Sequence, residues 1–268
     1  MSEFFEQPID KKMMKQLVHK IGALERRDRF LKKDLSSERA ALEEVFDKST
    51  LMTLYKLMNS NIFRYLHGVV DAGKEARIYR GERDDGSSVA VKIFLVTTAE
   101  FKKRLPYILG DPRFDKVKKG TRNIVELWAR KEYKNLVTAF NSGIRVPRPI
   151  AVMKNVLVME FIGENGNPAP LLNEVRVSKA DYKKVISIIK NMYRKAKLVH
   201  ADLSEYNIFK WRRELIVFDF GSAVDIGHPS ADQFLMRDIS NINRFFMKRG
   251  IDVEPEDIIF KRVVGNEL

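Results

Sequence analysis

The sequence predicts an α+β fold of two lobes, a small β-rich N-lobe and a larger helical C-lobe, preceded by a helical N-terminal extension. Three observations predict it. Between Val69 and Phe94, short β-branched runs flank the turn Asp84-Asp85-Gly86. One long helical pattern and two more short strands follow, ending at Glu160. Beyond Gly163-Glu164-Asn165-Gly166-Asn167-Pro168 the apolar spacing is mainly helical. The division is then residues 1–60 for the extension, 61–160 for the N-lobe and 161–268 for the C-lobe.

The elements follow in order. Met14, Leu17, Val18, Ile21 and Leu24 recur at helical spacing, which predicts a helix over 10–35. Ser36 can cap a second helix running toward Phe46, and Leu51, Leu54, Tyr55 and Met58 mark a third over 50–58. Strands are expected at 69–70, 76–79 and 88–94. Residues 95–121 are basic and carry Pro106, Gly110, Pro112 and Gly120, the composition of a long flexible segment. A helix is expected over 122–141, ended by Pro147 and Pro149, then strands at 150–153 and 156–160. In the C-lobe, helices are expected over 182–196 and 231–248, with a small hairpin, 208–211 with 214–218, between them.

Composition bounds the function. The chain has 268 residues, 44% of them hydrophobic, 10% aromatic and none of them Cys. That is enough apolar content for real cores and excludes disulfides and thiolate metal sites. No apolar run approaches the roughly 20 residues of a membrane span, and the polar start Met1–Asp10 has no apolar signal core, so a cytoplasmic protein without membrane partners is expected. Net charge is +13, and between Lys102 and Lys131 ten Lys/Arg face three Asp/Glu. Such a run either binds polyphosphate or is a solvated basic face.

The chemistry lies in Leu198-Val199-His200-Ala201-Asp202-Leu203-Ser204-Glu205-Tyr206-Asn207 and, just downstream, Val217-Phe218-Asp219-Phe220-Gly221. An Asp and an Asn five apart on a loop, with a second Asp after a hairpin, is the arrangement by which protein kinases transfer phosphoryl groups. The expected fold is therefore protein-kinase-like. Asp202 would orient the acceptor hydroxyl as base, and Asn207 and Asp219 would hold magnesium, with manganese as a substitute. His200 reads better as a structural residue of the loop.

Lys92, in Val89-Ala90-Val91-Lys92-Ile93, matches the strand lysine that neutralises nucleotide phosphates; alone it would read as a solvent-facing lysine. Its stem needs a carboxylate partner. Glu132 shares a helix face with Trp128 and Leu136 and is preferred to Glu126, which sits nearer the helix start. Gly73 and Lys74, in Asp71-Ala72-Gly73-Lys74-Glu75-Ala76, would form the phosphate turn with one glycine instead of three. Met159 would lie behind the adenine, with the main chain of Glu160 to Ile162 meeting it at the hinge. Asp238 reads as a buried acceptor for the catalytic-loop backbone. Only about ten residues separate Gly221 from the next helix, so a peptide-binding activation segment is not expected.

These departures from the common kinase pattern resemble the RIO family of atypical protein kinases, its type-1 branch in particular. The resemblance rests on Gly73-Lys74-Glu75-Ala76, Gly110-Asp111-Pro112-Arg113-Phe114, Trp128 with Lys131-Glu132-Tyr133, Met159-Glu160-Phe161-Ile162-Gly163, Leu198 to Asn207, and Arg237-Asp238 with Asn241 and Arg244-Phe245-Phe246. It implies an ATP- and magnesium-dependent serine/threonine kinase or ATPase in small-ribosomal-subunit maturation. It also implies that Asp219 can be phosphorylated and that segment 95–121 orders near nucleotide. The chain departs from it at Asp71-Ala72, where Ser-Thr is usual, and at Ser222, where Gln is usual. The basic run would contact rRNA of a pre-ribosomal particle through phosphates. Two alternatives stand beside this: a small-molecule kinase of the aminoglycoside/choline type, and an ATP-sensing ribosome assembly factor with little turnover.

Overall fold

A computed structural model describes residues 46–96, 106–108, 111, 113–114 and 120–265. The helices expected over 10–35 and from Ser36 onward lie outside the described residues.

The N-lobe is built on a five-stranded antiparallel sheet: β1 (Tyr65–Ala72), β2 (Ala76–Glu82), β3 (Ser88–Phe94), β4 (Pro149–Met153) and β5 (Val156–Glu160). The strand order is β1-β2-β3-β5-β4. Alternation along β3 sorts its side chains onto two faces. Val89, Val91 and Ile93 join a core with Leu51, Leu54, Leu57 and Met58 of helix α1 (Lys48–Asn59). Ala90 and Phe94 face the other way and pack with helix α2 (Thr121–Asn141). Lys92 shares that second face, so the strand's period of two aims it at the site. Asp47 caps α1 by accepting from the amides of Ser49 and Thr50 at 2.9 and 3.2 Å. Helix α1 thus belongs to the N-lobe core, where the sequence placed it in an extension.

The C-lobe carries α3 (Lys179–Asn191), continued as a wide turn over Met192–Ala196, then α4 (Ala231–Lys248) and α5 (Glu256–Val264). Ser178 and Asp181 form a capping box on α3, with Ser178 accepting from the Asp181 amide at 3.3 Å. Helix α5 was not expected. Nor were the short pairs β6 (Gly163–Glu164) with β7 (Asn167–Pro168) and β8 (Leu198–Val199) with β11 (Val224–Asp225). The hairpin β9 (Ile208–Trp211) and β10 (Glu214–Val217) was. It turns through Arg212 and Arg213, both in the left-handed region at φ 48° and 67°. That is the backbone of a two-residue hairpin turn, here without the usual Asn-Gly. From Gly221 the chain reaches α4 in ten residues, so no peptide-binding activation segment follows.

Segment 95–121 was expected to be flexible. Among its described residues, Ile108, Asp111 and Phe114 are buried. Tyr107 stacks on Phe234 with ring centroids 5.3 Å apart, and His228 Nε2 lies 3.2 Å from the Pro106 carbonyl. These residues are packed between α2 and the start of α4. Lys131, counted in the basic run, is 0% exposed, so it adds nothing to a surface patch.

Candidate active site

A cavity of about 330 Å³ lies between the lobes. Gly73, Lys74, Lys92, Glu132, Met159, Asp202 and Asp219 all line it, together with Asp71 and Ser222. Seven residues singled out from sequence thus meet in one cleft, although 146 positions separate Gly73 from Asp219.

Lys92 is the centre. Its Nζ donates to both Glu132 carboxylate oxygens at 2.8 and 2.9 Å and to Asp219 Oδ1 at 2.9 Å. Burial pulls the ammonium's pKa down, but the charges of Asp219 and Glu132 outweigh it and raise the pKa above its ordinary value. At Glu132 burial prevails over the Lys92 charge, and the carboxyl is held above the usual range. Glu126, the rival partner, is only half-buried and makes its described contact through its carbonyl, which accepts from Arg130.

Asp202 is exposed at the tip of its loop, and the loop is fixed from beneath. Asp238, on α4 and 1% exposed, accepts from the amides of Ala201 at 2.8 Å and Leu203 at 2.9 Å. Arg237 donates to the Ala201 carbonyl, and Asn241 to that of Leu203 at 3.2 Å. Burial pushes the Asp238 carboxyl up to about 7, against the pull of the two amides and Arg237. Ala201 sits in the left-handed region at φ 64°, strain that these bonds hold in place.

Asn207 lies off the cavity wall. Its Nδ2 donates to the Asp202 carbonyl at 2.7 Å, and its own carbonyl accepts from the Phe218 amide at 3.0 Å. It therefore ties the two halves of the chemistry together across the hairpin. His200 is fully buried, its Nε2 3.0 Å from the Phe218 carbonyl and its ring edge-on to Phe220 at 4.9 Å. Burial drives its pKa down to about 4, so it is neutral at physiological pH and packs rather than transfers protons.

Glu160 and Ile162 do not line the cavity. Glu160 accepts from Arg145 Nη1 and Nη2 at 2.9 and 3.1 Å and from the Arg148 amide at 3.0 Å. Ile162 packs with Ala169 and Ile216, and its carbonyl accepts from Ala169 at 2.8 Å. Their side chains thus anchor the connection between lobes. The expectation for this stretch concerned main-chain groups.

Sequence reasoning missed the grip of α2 on the chain after Asp219. Lys131 donates to the carbonyls of Gly221, at 3.0 Å, and Ala223. Asn135 donates to those of Phe220 at 2.9 Å and Ala223 at 2.8 Å. Trp128 lies so close that a Cβ on Gly221 would meet its indole nitrogen at 2.8 Å. Residues 128, 131, 132 and 135 follow helical spacing, so the polar members of that stripe were the available signal.

The fold and these clustered groups define a two-lobed kinase-like phosphotransferase. A RIO domain model matches residues 77–258. The chain is 40% identical over 227 residues to the RIO-type serine/threonine-protein kinase Rio1 of Haloferax volcanii, covering 84% of this chain and 78% of that one. It is 38% identical over 249 residues to Rio1 of Methanocaldococcus jannaschii, covering 89% and 84%. It is also 38% identical to human serine/threonine-protein kinase RIO1, of which it spans 42%. The crystal structure of a Rio2 kinase–ADP/Mg2+–phosphoaspartate complex from Chaetomium thermophilum superposes with a TM-score of 0.64 at 17% identity, covering 96% of this chain and 90% of that one. The chain belongs to the RIO family of serine/threonine-protein kinases, on its Rio1 branch.

Proposed function

We propose that this chain transfers the γ-phosphoryl group of ATP, with magnesium, to a serine or threonine hydroxyl. The observation that carries the reading is the Lys92 ammonium held between Glu132 and Asp219 in a cleft that Asp202 also lines. Lys92 would neutralise phosphate charge, with Gly73 and Lys74 closing over the phosphates. Met159 would back the adenine, and the main chain of 160–162 would meet its edge. Asp202, exposed and rigidly mounted, would take the hydroxyl proton. In that step the acceptor oxygen bonds to the γ-phosphorus and the bond to the bridging oxygen of ADP breaks.

The donor set fits a hard cation. Asn207 spends its amide nitrogen on the Asp202 carbonyl, which leaves its oxygen end for a metal, and Asp219 supplies carboxylate oxygen. Two protein oxygens completed by phosphates and water suit magnesium. When bound, the ion supplies charge neutralisation and alignment of the phosphates.

Asp219 has a second role in the proposal. Its side chain is 46% exposed, and the Rio2 relative was crystallised with phosphoaspartate, so Asp219 is the candidate to accept the phosphoryl group itself. Pre-ribosomal RNA is the proposed partner, on the strength of the sequence resemblance and the basic run without Lys131. The test is single-turnover ATP hydrolysis with magnesium, wild type against Asp219→Asn, followed by hydroxylamine. Hydroxylamine-labile label that Asp219→Asn lacks supports the acyl-phosphate. Stable label on Ser or Thr supports protein phosphorylation alone. A wild type that binds no nucleotide overturns the assignment and points to Asp71-Ala72.

A further inference from the structure

Three groups facing the chain after Asp219, those of Trp128, Lys131 and Asn135, come from one helix, and one of them is chemically out of place. Lys131 is 0% exposed, and among the hydrogen bonds described for it both go to main-chain carbonyls, those of Gly221 and Ala223. Burying an ammonium without a hydrogen-bonded carboxylate is costly. A methionine or leucine would fill the same space more cheaply. Asn135 already serves the Ala223 carbonyl, so packing alone does not require a cation here.

The compensating charge comes from elsewhere in the chain. Burial pulls the Lys131 pKa down to about 7; Asp111 opposes that more strongly than Glu132 does, while Arg113 adds to it. Asp111 is 2% exposed and held by Arg113, whose Nε and Nη2 donate at 2.8 and 2.6 Å. It belongs to the stretch between β3 and α2, whose Phe114 also lies 5.1 Å from the Lys134 ammonium, on the same helix. Asp111 and Phe114 thus pack near the helix whose Lys131 reaches the carbonyls two and four residues beyond Asp219.

We infer that Lys131 is a positioning residue for Asp219, and that Asp111 supports it by supplying the charge that keeps its ammonium seated against the 220–223 turn. The turn that follows Asp219 is held by α2, and the described residues of the segment before α2 pack against the same helix. The inference rests on the reading of Asp219 as a metal-holding residue, and the experiment separates the two.

The test compares wild type, Lys131→Met, Asp111→Asn, the double variant and Asp219→Asn. Two readouts are taken: hydrogen exchange at the amides of 220–224, and ATP turnover as a function of magnesium concentration. Lys131→Met keeps the bulk and removes the donors, and its melting temperature is measured alongside so that exchange confined to 220–224 is told apart from a global loss of stability. Exchange at 220–224 should rise in both single variants. The magnesium concentration for half-maximal turnover should rise about tenfold in Lys131→Met, the loss of a charge-assisted hydrogen bond. Asp111→Asn should act in the same direction, and the double variant should be no worse than Lys131→Met alone. Unchanged exchange at 220–224 in Lys131→Met overturns the inference, as do independent, additive effects of the two substitutions. Asp219→Asn reports on the functional reading: wild-type turnover there defeats that reading, while the exchange data still decide the brace.

Discussion

Asp238 grips Asp202 from both sides. Its two carboxylate oxygens accept the amides of Ala201 and Leu203, at 2.8 and 2.9 Å, so the exposed Asp202 is mounted on a buried one. Asp238→Asn replaces an acceptor with a donor facing N–H groups. It should cost about 1–3 kcal/mol of stability through the unsatisfied amides. It should also lower kcat while leaving nucleotide affinity near wild type. Denaturant unfolding and nucleotide titration check the two effects, and a large loss of nucleotide affinity would contradict the second.

Glu132 and Glu126 give opposite expectations from the same helix. Glu132→Gln removes the carboxylate that holds Lys92 and should reduce phosphoryl transfer on the order of a hundredfold. Glu126→Gln should leave the rate within about twofold, because nothing described ties its side chain to the cleft. Steady-state turnover of the two variants decides between them.

His200 makes stability depend on acid. Its folded pKa, about 4, lies below the ordinary 6.5, so its stabilising contribution is present above pH 6.5 and is lost as pH falls through 4. Fully expressed, that loss is about 3 kcal/mol. Asp238 acts in the opposite sense: its folded pKa is raised from 3.8 to about 7, so its contribution is present below 3.8 and is lost as pH rises through 7. Melting wild type and His200→Gln from pH 7 to 4 isolates the histidine. The gap between the two curves should change steadily below pH 6.5, and a constant gap would refute the assignment.

Gly221→Ala tests the closeness of α2. The added Cβ would lie 2.8 Å from Trp128 Nε1, and neither group is free to yield. Overpacking of this kind costs about 1–3 kcal/mol. The melting temperature should fall by roughly 2–4 °C for each of those kcal/mol. Pairing the change with Trp128→Phe, which trims the indole, should recover part of the loss.

The positions of the Asp202 loop, the strand lysine and the helix glutamate were legible because each sits in a local pattern: an Asp-to-Asn spacing, alternation along β3, a helical stripe through Trp128. Alternation alone separates Val91, under α1, from Lys92, in the cleft. What was not legible depends on tertiary placement. Nothing local shows that Leu51 and Leu54 pack on the sheet, or that Asp111 in a Pro- and Gly-rich run is buried. Lys131 reads as one more basic residue until the 220–223 carbonyls are placed beside it. The pairs β8 with β11 and β6 with β7 are two residues per strand, too short for any periodicity to register.

The β9–β10 hairpin joins Asn207 directly to Asp219, with Ile208 paired to Val217 and the Phe218 amide bound to the Asn207 carbonyl. It therefore works as a pair of calipers, setting the gap between the two side chains proposed to hold the cation from a distance. Extra residues at the Arg212-Arg213 tip lengthen the handle and leave the jaws where they are. One residue added or removed within either leg slips the register and turns one jaw to the opposite face. Natural length variation in this chain's relatives should accordingly gather at the tip and spare the legs.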